Sequence, residues 1–242
     1  MNKTILLTGA SGGVGLELIK PLSDAGYDLA LHYHEKLTPL ANKLDEVKPT
    51  TKIACFKADL TIEAEVTALF NGIQDFCGGI NILVNNAGIS MSGMSWKMEL
   101  GDWMTTLNTN LTSAFLCTKN ALPFMRQNNW GRIINVSSVV AQTGFIGTSA
   151  YAASKAGLYG FTKSVAREVA NKNITVNTMS YGYMNAGMID VLTEELQEEI
   201  LAQIPQKQFG PIESIAKTIT FLASEEASYI TGQNIPINGG LA

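Results

Sequence analysis

Two side chains that can exchange a proton, Tyr151 and Lys155, stand four residues apart in the sequence. On a helix, this interval places both side chains on one face. A free phenol has a pKa of about 10 and exchanges protons poorly at neutral pH. A neighbouring ammonium group stabilises the phenolate and lowers that pKa, so the phenol becomes usable as a general acid or base. The pair therefore predicts a proton-transfer site in which Lys155 tunes Tyr151.

The same interval occurs a second time, because Tyr159 and Lys163 repeat it eight residues later. At about 1.5 Å of rise per residue, Tyr159 lies about 12 Å further along the helix and away from its first turns. Ser138 closes a predicted strand thirteen residues before Tyr151, whereas Ile146 stands at that interval before Tyr159. We therefore take the first pair and Ser138 as the chemical candidates, and interpret the second pair as packing and surface.

A glycine-rich segment, Thr8 to Gly15 (TGASGGVG), follows the first apolar run and precedes the first helical pattern. Glycines let such a turn approach a pyrophosphate closely, and the helix N-terminus supplies N–H groups and partial positive charge. The segment predicts a dinucleotide site, although glycines at a strand-to-helix junction also serve packing alone. No Lys-Ser or Lys-Thr follows, which argues against an ATP-binding P-loop.

The adenosine end of a dinucleotide is read at the end of the second strand, where an acidic residue is typical of NAD binding. Here that strand ends at Tyr33 and His34, and the nearest acid, Glu35, comes one position too late. This favours NADP(H), with His34 or Lys36 as phosphate contacts, and leaves NAD(H) as the alternative. Both side chains are also compatible with a solvated turn.

The elements that must position these residues alternate along the whole chain. Short apolar runs predict strands over residues 4–7, 29–33, 52–56, 80–84, 132–136, 174–179 and 234–237. Helical patterns lie between them, notably over 63–76, 103–125 and 150–170. This alternation predicts an α/β fold, a doubly wound, Rossmann-like parallel sheet of seven strands in a single domain over residues 1–242. Ligands of such sheets bind at the carboxyl ends of the strands.

Composition narrows the function classes. With 46% hydrophobic and 16% charged residues among 242, the chain is not of the disordered type. A net charge of -4 argues against general nucleic-acid or anionic-membrane binding. The three cysteines form no close pair, and His32 and His34 have no ligand cluster around them, so we expect no metal. No run suggests a signal peptide or a membrane span, which makes the cytoplasm the default location.

The glycine-rich segment, Ser138 and the Tyr151–Lys155 pair, together with Asn85 to Gly88, resemble the short-chain dehydrogenase/reductase family. The similarity continues through Ala58-Asp59-Leu60, Asn108-Thr109-Asn110-Leu111 and the C-terminal segments Tyr229 to Gln233 and Asn238 to Gly240. Within the family, the sequence is most similar to 3-oxoacyl-[acyl-carrier-protein] reductases.

The resemblance implies a role for each candidate. Hydride passes from C4 of the nicotinamide to a ketone carbon, Tyr151 protonates the developing alkoxide, and Ser138 hydrogen-bonds the same oxygen. Lys155 lowers the pKa of the tyrosine and holds the nicotinamide ribose. Asn110 anchors a water through which Lys155 receives protons. Without the resemblance, Asn110 is equally compatible with a residue that caps or kinks its helix.

The resemblance also implies the cofactor contacts, and it shows where this chain departs from the family. The expected contacts are Gly9, Ser11, Gly12, Gly13, Val14, Gly15, His34, Asp59, Leu60, Asn86, Ala87, Gly88, Tyr151, Lys155, Gly182 and Met184. The family usually has Pro-Gly after strand six and a Thr four residues beyond that Gly, whereas Ser180 to Ala186 (SYGYMNA) lacks both. Gly12 stands where many NADP-preferring members carry a basic residue, which weakens the preference for NADP(H).

The side chains expected to wall the substrate site are apolar and include several methionines: Met91, Met94, Trp96, Phe145, Tyr183 and Met188. Such walls suit an acyl chain or another lipophilic ketone better than a sugar. From Met188 to Ile204, Leu192, Leu196 and Ile200 recur four apart, as in an amphipathic lid, although ordinary packing gives the same stripe.

These observations predict an NADP(H)-dependent reductase of a 3-oxoacyl thioester, carried by an acyl carrier protein or CoA. Reduction or oxidation of another lipophilic ketone or alcohol is the alternative, and a catalytically silent dinucleotide-binding scaffold is a third. Carrier-protein reductases tend to present cations before strands five and six. Asn128 to Trp130 lacks the first, and Lys172 keeps the second, so docking of an acidic carrier protein remains an expectation. The resemblance further implies a homotetramer, joined by the helices at 103–125 and 150–170 and by the C-terminal strand region.

Overall fold

A computed structural model of the chain describes residues 2–47, 51–187, 189 and 192–242. Seven strands form one sheet in the order β3-β2-β1-β4-β5-β6-β7, and every neighbouring pair is parallel. The strands are β1 (Thr4–Leu7), β2 (Asp28–Tyr33), β3 (Ile53–Lys57), β4 (Ile82–Asn85), β5 (Gly131–Ser138), β6 (Ile174–Tyr181) and β7 (Asn234–Ile237). The strand order reverses between β1 and β4, which is where doubly wound sheets bind ligands. The predicted fold class is confirmed.

Helices cover both faces of this sheet. They are α1 (Gly13–Asp24), α2 (Thr38–Leu44), α3 (Glu63–Cys77), α4 (Leu100–Leu107), α5 (Ser113–Asn128), α6 (Val140–Thr143), α7 (Ser149–Val169), α8 (Glu194–Gln203) and α9 (Ile212–Leu222). The helix expected over 103–125 is not continuous, because a π-helical segment, Asn108–Thr112, separates α4 from α5. A π turn contains one extra residue and is often found at functional sites.

Alternation along the strands builds one apolar core on each face. Ile5 and Leu7 of β1 belong to the core that α1 and α9 cover, whereas Leu6 belongs to the core under α3, α5 and α7. A third, smaller core joins Ile189 to Ile200 and Ile204 at α8. Within the described ranges, none of the helices combines the length and the apolar character of a bilayer-spanning segment.

A buried polar ladder fixes the height of α7 on the sheet. Asn85 of β4 donates to Asn135 of β5, Asn135 donates to Thr162 of α7, and Thr178 of β6 donates to the same threonine, each over 2.8 Å. All four residues are buried, so each missing partner would leave an unsatisfied polar group. The ladder ties three central strands to α7, the helix that carries Tyr151 and Lys155.

Candidate active site

Lys155 holds its ammonium group inside the protein, at the carboxyl edge of the sheet. The residue is 3% exposed, and its Nζ atom donates to the carbonyl oxygen of Val136 in β5 at 2.8 Å. Because burial removes water from the charged group, the pKa of Lys155 falls from 10.5 to about 8. Nζ lies 5.8 Å from the centre of the Tyr151 ring, so the two side chains are neighbours on α7 as the spacing predicts.

Tyr151 and Ser138 bring two hydroxyl groups to the same point. Ser138 ends β5, is buried, and its Oγ atom accepts a hydrogen bond from the Val140 amide at 3.2 Å. Burial raises the pKa of Tyr151 above its ordinary value, the nearby Tyr183 raises it further, and a hydrogen bond with Ser138 offsets only part of the rise. We expected Lys155 to lower this pKa, but in this structure desolvation dominates. The phenol is therefore protonated, as a proton donor must be.

The π-helical segment presents Asn110 to the same site. Its Oδ1 atom accepts from the Ile89 amide at 2.8 Å, and its Nδ2 atom donates to the Ile89 carbonyl and to Ser154 Oγ, each at 2.9 Å. Asn110 is 1% exposed, and these bonds lock it between the loop after β4 and α7. The sequence left a helix-breaking role and a role at the site as alternatives; in the structure, Asn110 lies in the break and also at the site.

Gly88 lies against these side chains and has no side chain of its own. A Cβ atom at Gly88 would lie 3.1 Å from Lys155 Nζ and 3.2 Å from Asn110 Oδ1. The amine and the amide thus face a common space beside the loop after β4. The structure therefore brings together all four residues that the sequence nominated for chemistry, from three separate elements: Asn110, Ser138, Tyr151 and Lys155.

The glycine-rich segment forms a tight turn between β1 and α1. Gly9 has a φ of 64°, and a Cβ atom there would lie 2.8 Å from the Cα atom of Ala87. A Cβ atom at Gly15 would collide with the carbonyl oxygen of Gly9, and one at Gly13 would collide with the backbone of Gly187. Side chains are therefore excluded at three positions of the turn that the sequence predicts to approach a pyrophosphate. Ser11, Gly12 and Val14 complete the turn, and the two glycines at 12 and 13 are exposed.

The loop after β4 is fastened to this turn. Thr8 Oγ1 accepts hydrogen bonds from the amides of Asn86 and Ala87 at 2.9 and 3.0 Å, and the Asn86 side chain donates to the Thr8 carbonyl at 3.0 Å. Two segments expected to contact one dinucleotide thus form a single unit. The sheet edge fits such a cofactor, since Gly9, Gly13 and Gly15 leave no room for a Cβ atom and polar groups converge on Gly88.

His32 is a residue that the sequence analysis did not assign to the dinucleotide site. It lies in β2, is 3% exposed, accepts a hydrogen bond from the Gly9 amide at Nδ1 (3.0 Å) and bonds the Ala58 carbonyl through Nε2 (2.9 Å). Burial lowers the pKa of His32, and the imidazole is neutral when Nδ1 accepts. The signal that could have found it is a histidine within the apolar run 29–33, directly before the residues read for adenosine binding.

At the predicted adenosine end, His34 lies beside an acidic side chain. Its Nε2 atom lies 3.8 Å from the Asp59 carboxylate, and the histidine is largely exposed. Asp59 also accepts hydrogen bonds from the amide and hydroxyl of Thr61, and its pKa is lowered even though partial burial opposes this. Leu60 beside it is buried. The surface that would meet a 2′-phosphate therefore carries a carboxylate beside the histidine.

The segment after β6, where the sequence predicts the cofactor contacts Gly182 and Met184, packs closely against neighbouring segments. A Cβ atom at Gly182 would lie 2.7 Å from the Cα atom of Asn238, so this glycine is required by close packing against the segment after β7. Met184 is buried and pairs through its backbone with Gly210.

The apolar side chains expected to wall the substrate site differ in exposure. Met94, Trp96 and Phe145 are exposed at 40%, 77% and 43%, and Met91 and Tyr183 are half-buried. Met188 lies outside the described residues.

The second Tyr–Lys pair lies beneath the first. The Tyr159 hydroxyl is 3.0 Å from Ser180 Oγ and donates to the Ser138 carbonyl at 3.4 Å, while Lys163 is exposed. Tyr159 packs against the ends of β5 and β6 and is closer to the site than its distance along the helix suggests, because both strands end there. Among the described residues, no three His, Cys, Asp or Glu side chains form a group that could hold a metal ion.

Comparison with known proteins decides the family. A family model described as enoyl-(acyl carrier protein) reductase matches residues 9–242. The chain belongs to the short-chain dehydrogenase/reductase family. This membership makes it an NAD(P)-dependent oxidoreductase.

Several short-chain dehydrogenase/reductases are similar over nearly the whole chain. Nodulation protein G of Rhizobium sp. (strain N33) is 42% identical over 98% of this chain and 96% of its own length. The 3-oxoacyl-[acyl-carrier-protein] reductase FabG of Staphylococcus aureus (strain Mu50) is 39% identical over 100% and 98%. The FabG of Aquifex aeolicus (strain VF5) is 40% identical over 99% and 97%. The similarity to the reductase family that the motifs indicated is confirmed.

Proposed function

We propose that the protein is an NADP(H)-dependent reductase that converts 3-oxoacyl thioesters to 3-hydroxyacyl thioesters, acting as one dinucleotide-binding and catalytic unit. The observation that supports this most directly is the convergence of two hydroxyl groups, a buried amine and a buried amide at the sheet edge, beside a turn that excludes side chains. The names of the FabG relatives supply the substrate class.

Each residue has a defined role in this reaction. A bound reduced nicotinamide would supply hydride to the ketone carbon. Tyr151 donates its proton to the oxygen that gains charge, and Ser138 hydrogen-bonds the same oxygen. Lys155 holds a positive charge near the phenol and has N–H donors for a ribose hydroxyl. Asn110 orders the loop after β4 beside Lys155, where a water can replenish the proton.

The preference for NADPH rests on the end of β2. No carboxylate follows Tyr33 directly, and the first side chains available to a 2′-phosphate are His34 and Lys36. The Asp59 carboxylate 3.8 Å from His34 weakens the attraction for a phosphate, as does the absence of a basic side chain at Gly12. We therefore expect a modest preference for NADPH rather than exclusion of NADH.

The acyl group would lie against the apolar residues near Tyr151. Met94 and Phe145 offer exposed apolar surface on the loops that follow β4 and β5, which suits a lipophilic chain. Lys172, before β6, is a cation that an acidic acyl carrier protein can contact. Exposed apolar side chains on the helices of the expected tetramer interface, Met104 on α4 and Phe115 on α5, support a homotetramer.

The experiment is to follow loss of reduced-cofactor absorbance with acetoacetyl-CoA, longer 3-oxoacyl thioesters on CoA and on carrier protein, and NADPH and NADH in parallel. We expect turnover that is faster with NADPH and that falls by at least about a hundredfold in Tyr151→Phe. Tyr159→Phe, which removes a hydroxyl from the same helix below the site, is the matched control and retains turnover.

Three other outcomes would redirect the proposal. A 2-enoyl thioester, the substrate class named by the matching family model, serves as the competing substrate; reduction of it alone would replace ketone reduction. Turnover of other lipophilic ketones without turnover of thioesters would change the substrate class. Dinucleotide binding with no turnover of any of them would leave a binding scaffold.

A further inference from the structure

Tyr181, the last residue of β6, carries a buried hydroxyl group that contacts no hydrogen-bonding partner among the described residues. The residue is only 6% exposed. Burial raises its pKa far above the ordinary value, so the phenol keeps its proton and remains a donor. A buried donor without an acceptor destabilises a folded protein, and such groups are uncommon. The hydroxyl therefore calls for an acceptor that the described part of the chain does not supply.

The position of the phenol is fixed by the backbone on both sides. The Tyr181 carbonyl accepts from the Val139 amide at 2.7 Å, and the next amide, of Gly182, donates to the Ile237 carbonyl at 2.8 Å. Tyr181 is in register with Ser138 on β5, so its Cα atom lies beside the residue that bonds the Tyr151 phenol. The side chain consequently belongs to the carboxyl edge of the sheet.

The face of the sheet is equally well determined. The preceding residue, Ser180, points toward α7, where it meets Tyr159. Tyr181 points to the opposite face and belongs to the core covered by α1 and α9, together with Met184 and the partly buried Val14. Val14 is part of the turn that binds pyrophosphate in our proposal. The phenol therefore lies on the same side of the sheet as that turn, next to the strand that ends at Ser138.

These two landmarks define which part of a dinucleotide is near. The glycine-rich turn holds the pyrophosphate, and the carbon that gives up hydride must lie beside the hydroxyls of Ser138 and Tyr151. The nicotinamide ring and its ribose span the interval between them, and the ribose hydroxyls belong to Lys155 in our proposal. Of the groups on that ring, the carboxamide is the one with an oxygen that accepts hydrogen bonds.

We propose that Tyr181 is a cofactor-binding residue whose hydroxyl donates a hydrogen bond to the nicotinamide carboxamide. The inference rests on dinucleotide binding by the proposed reductase but not on its substrate. It also predicts opposite effects of the hydroxyl in the two states. In the free protein the unpaired hydroxyl lowers stability, whereas in the complex it forms a hydrogen bond with the cofactor.

The test compares Tyr181→Phe with the wild type by two measurements that do not involve turnover. Without cofactor, the melting temperature should rise by about 2–4 °C, because an unsatisfied buried donor is removed. In fluorescence titrations, the Kd for NADPH should rise about five- to tenfold. The Kd for 2′-phospho-ADP-ribose, which lacks the nicotinamide, should not change. NADH and ADP-ribose are titrated in parallel, so that cofactor preference does not affect the comparison.

Tyr159→Phe is the matched control, because its hydroxyl has partners on the other face of the sheet. It should lower the melting temperature and leave both dissociation constants unchanged. An unchanged Kd for NADPH and NADH in Tyr181→Phe would overturn the inference while leaving the proposed reductase intact. Equal weakening of the dinucleotide and its nicotinamide-free fragment would also overturn it, since the contact would then be elsewhere. Failure of the wild type to reduce thioesters would refute only the proposed function.

Discussion

Removing the buried charge of Lys155 should change how the stability of the protein depends on pH. The pKa of Lys155 falls from 10.5 to about 8 because the ammonium group is desolvated. At about 1.4 kcal/mol per pKa unit, the charged group lowers the free energy of unfolding at neutral pH by about 3 kcal/mol. Lys155→Met removes that cost together with the hydrogen bond to Val136, which contributes about 2 kcal/mol. At pH 7 the lost desolvation cost and the lost hydrogen bond nearly cancel, so the stability difference at this one pH does not report the charge of Lys155.

The pH dependence of stability separates the desolvation cost of Lys155 from its hydrogen bond. Between pH 8 and pH 10.5 the unfolded chain binds the Lys155 proton more tightly than the folded chain does, so the free energy of unfolding rises with pH in this window. From pH 7 to pH 10 the wild type should gain about 2–3 kcal/mol relative to Lys155→Met. Desolvation raises the pKa values of Tyr151 and of the half-buried Tyr183, and both lower the stability of wild type and variant above pH 10, so they cancel in the difference.

Urea denaturation of both proteins at several pH values measures this difference directly. Lys163→Met, which removes an exposed lysine from the same helix, is the control and should show no such relative change. A constant difference between wild type and Lys155→Met from pH 7 to pH 10 would refute the reasoning, because it would mean that the amine titrates as it does in water.

Three further predictions concern the site itself. In the reduction direction, kcat/KM should fall above about pH 8, as Lys155 of the free enzyme loses its charge, and a profile that is flat to pH 9.5 would contradict this. Ser154→Ala removes one acceptor from the Asn110 amide and should lower kcat about three- to tenfold with an unchanged cofactor Kd, measured by steady-state kinetics and titration. Gly13→Ala places a methyl group against the backbone after β6 and should raise the Kd for the dinucleotide at least about tenfold, whereas Gly160→Ala, with open space around it, should not.

Much of the fold was predictable because its signals are local. Each of the seven strands was located within a few residues, since strands buried on both faces form continuous apolar runs. The end of β6 was less accurate: the strand continues through Tyr181 and not only to residue 179, because polar residues at the carboxyl edge still pair with their neighbours. Apolar periodicity does not register such residues.

The site was predictable where the residue types and their spacing indicate one kind of chemistry. Tyr151, Lys155 and Ser138 were found by spacing and by their place at one sheet edge. His32 and Ser154 were missed because their contacts, with Gly9 and with Asn110, join segments distant in sequence. The effect of burial on the pKa of Tyr151 also needed the structure, since spacing reports proximity and not the loss of water.

The π-helical segment Asn108–Thr112 determines the rotational phase between α4 and α5. Each residue of an α-helix advances its face by about 100°, so one residue more or less in this segment would turn α5 by that angle relative to α4. A deletion here would give a regular helix with better local hydrogen bonding, yet Asn110 would no longer face Ile89 and Ser154. The amide at the site is thus maintained by helix irregularity, and a change that improves the helix would remove it.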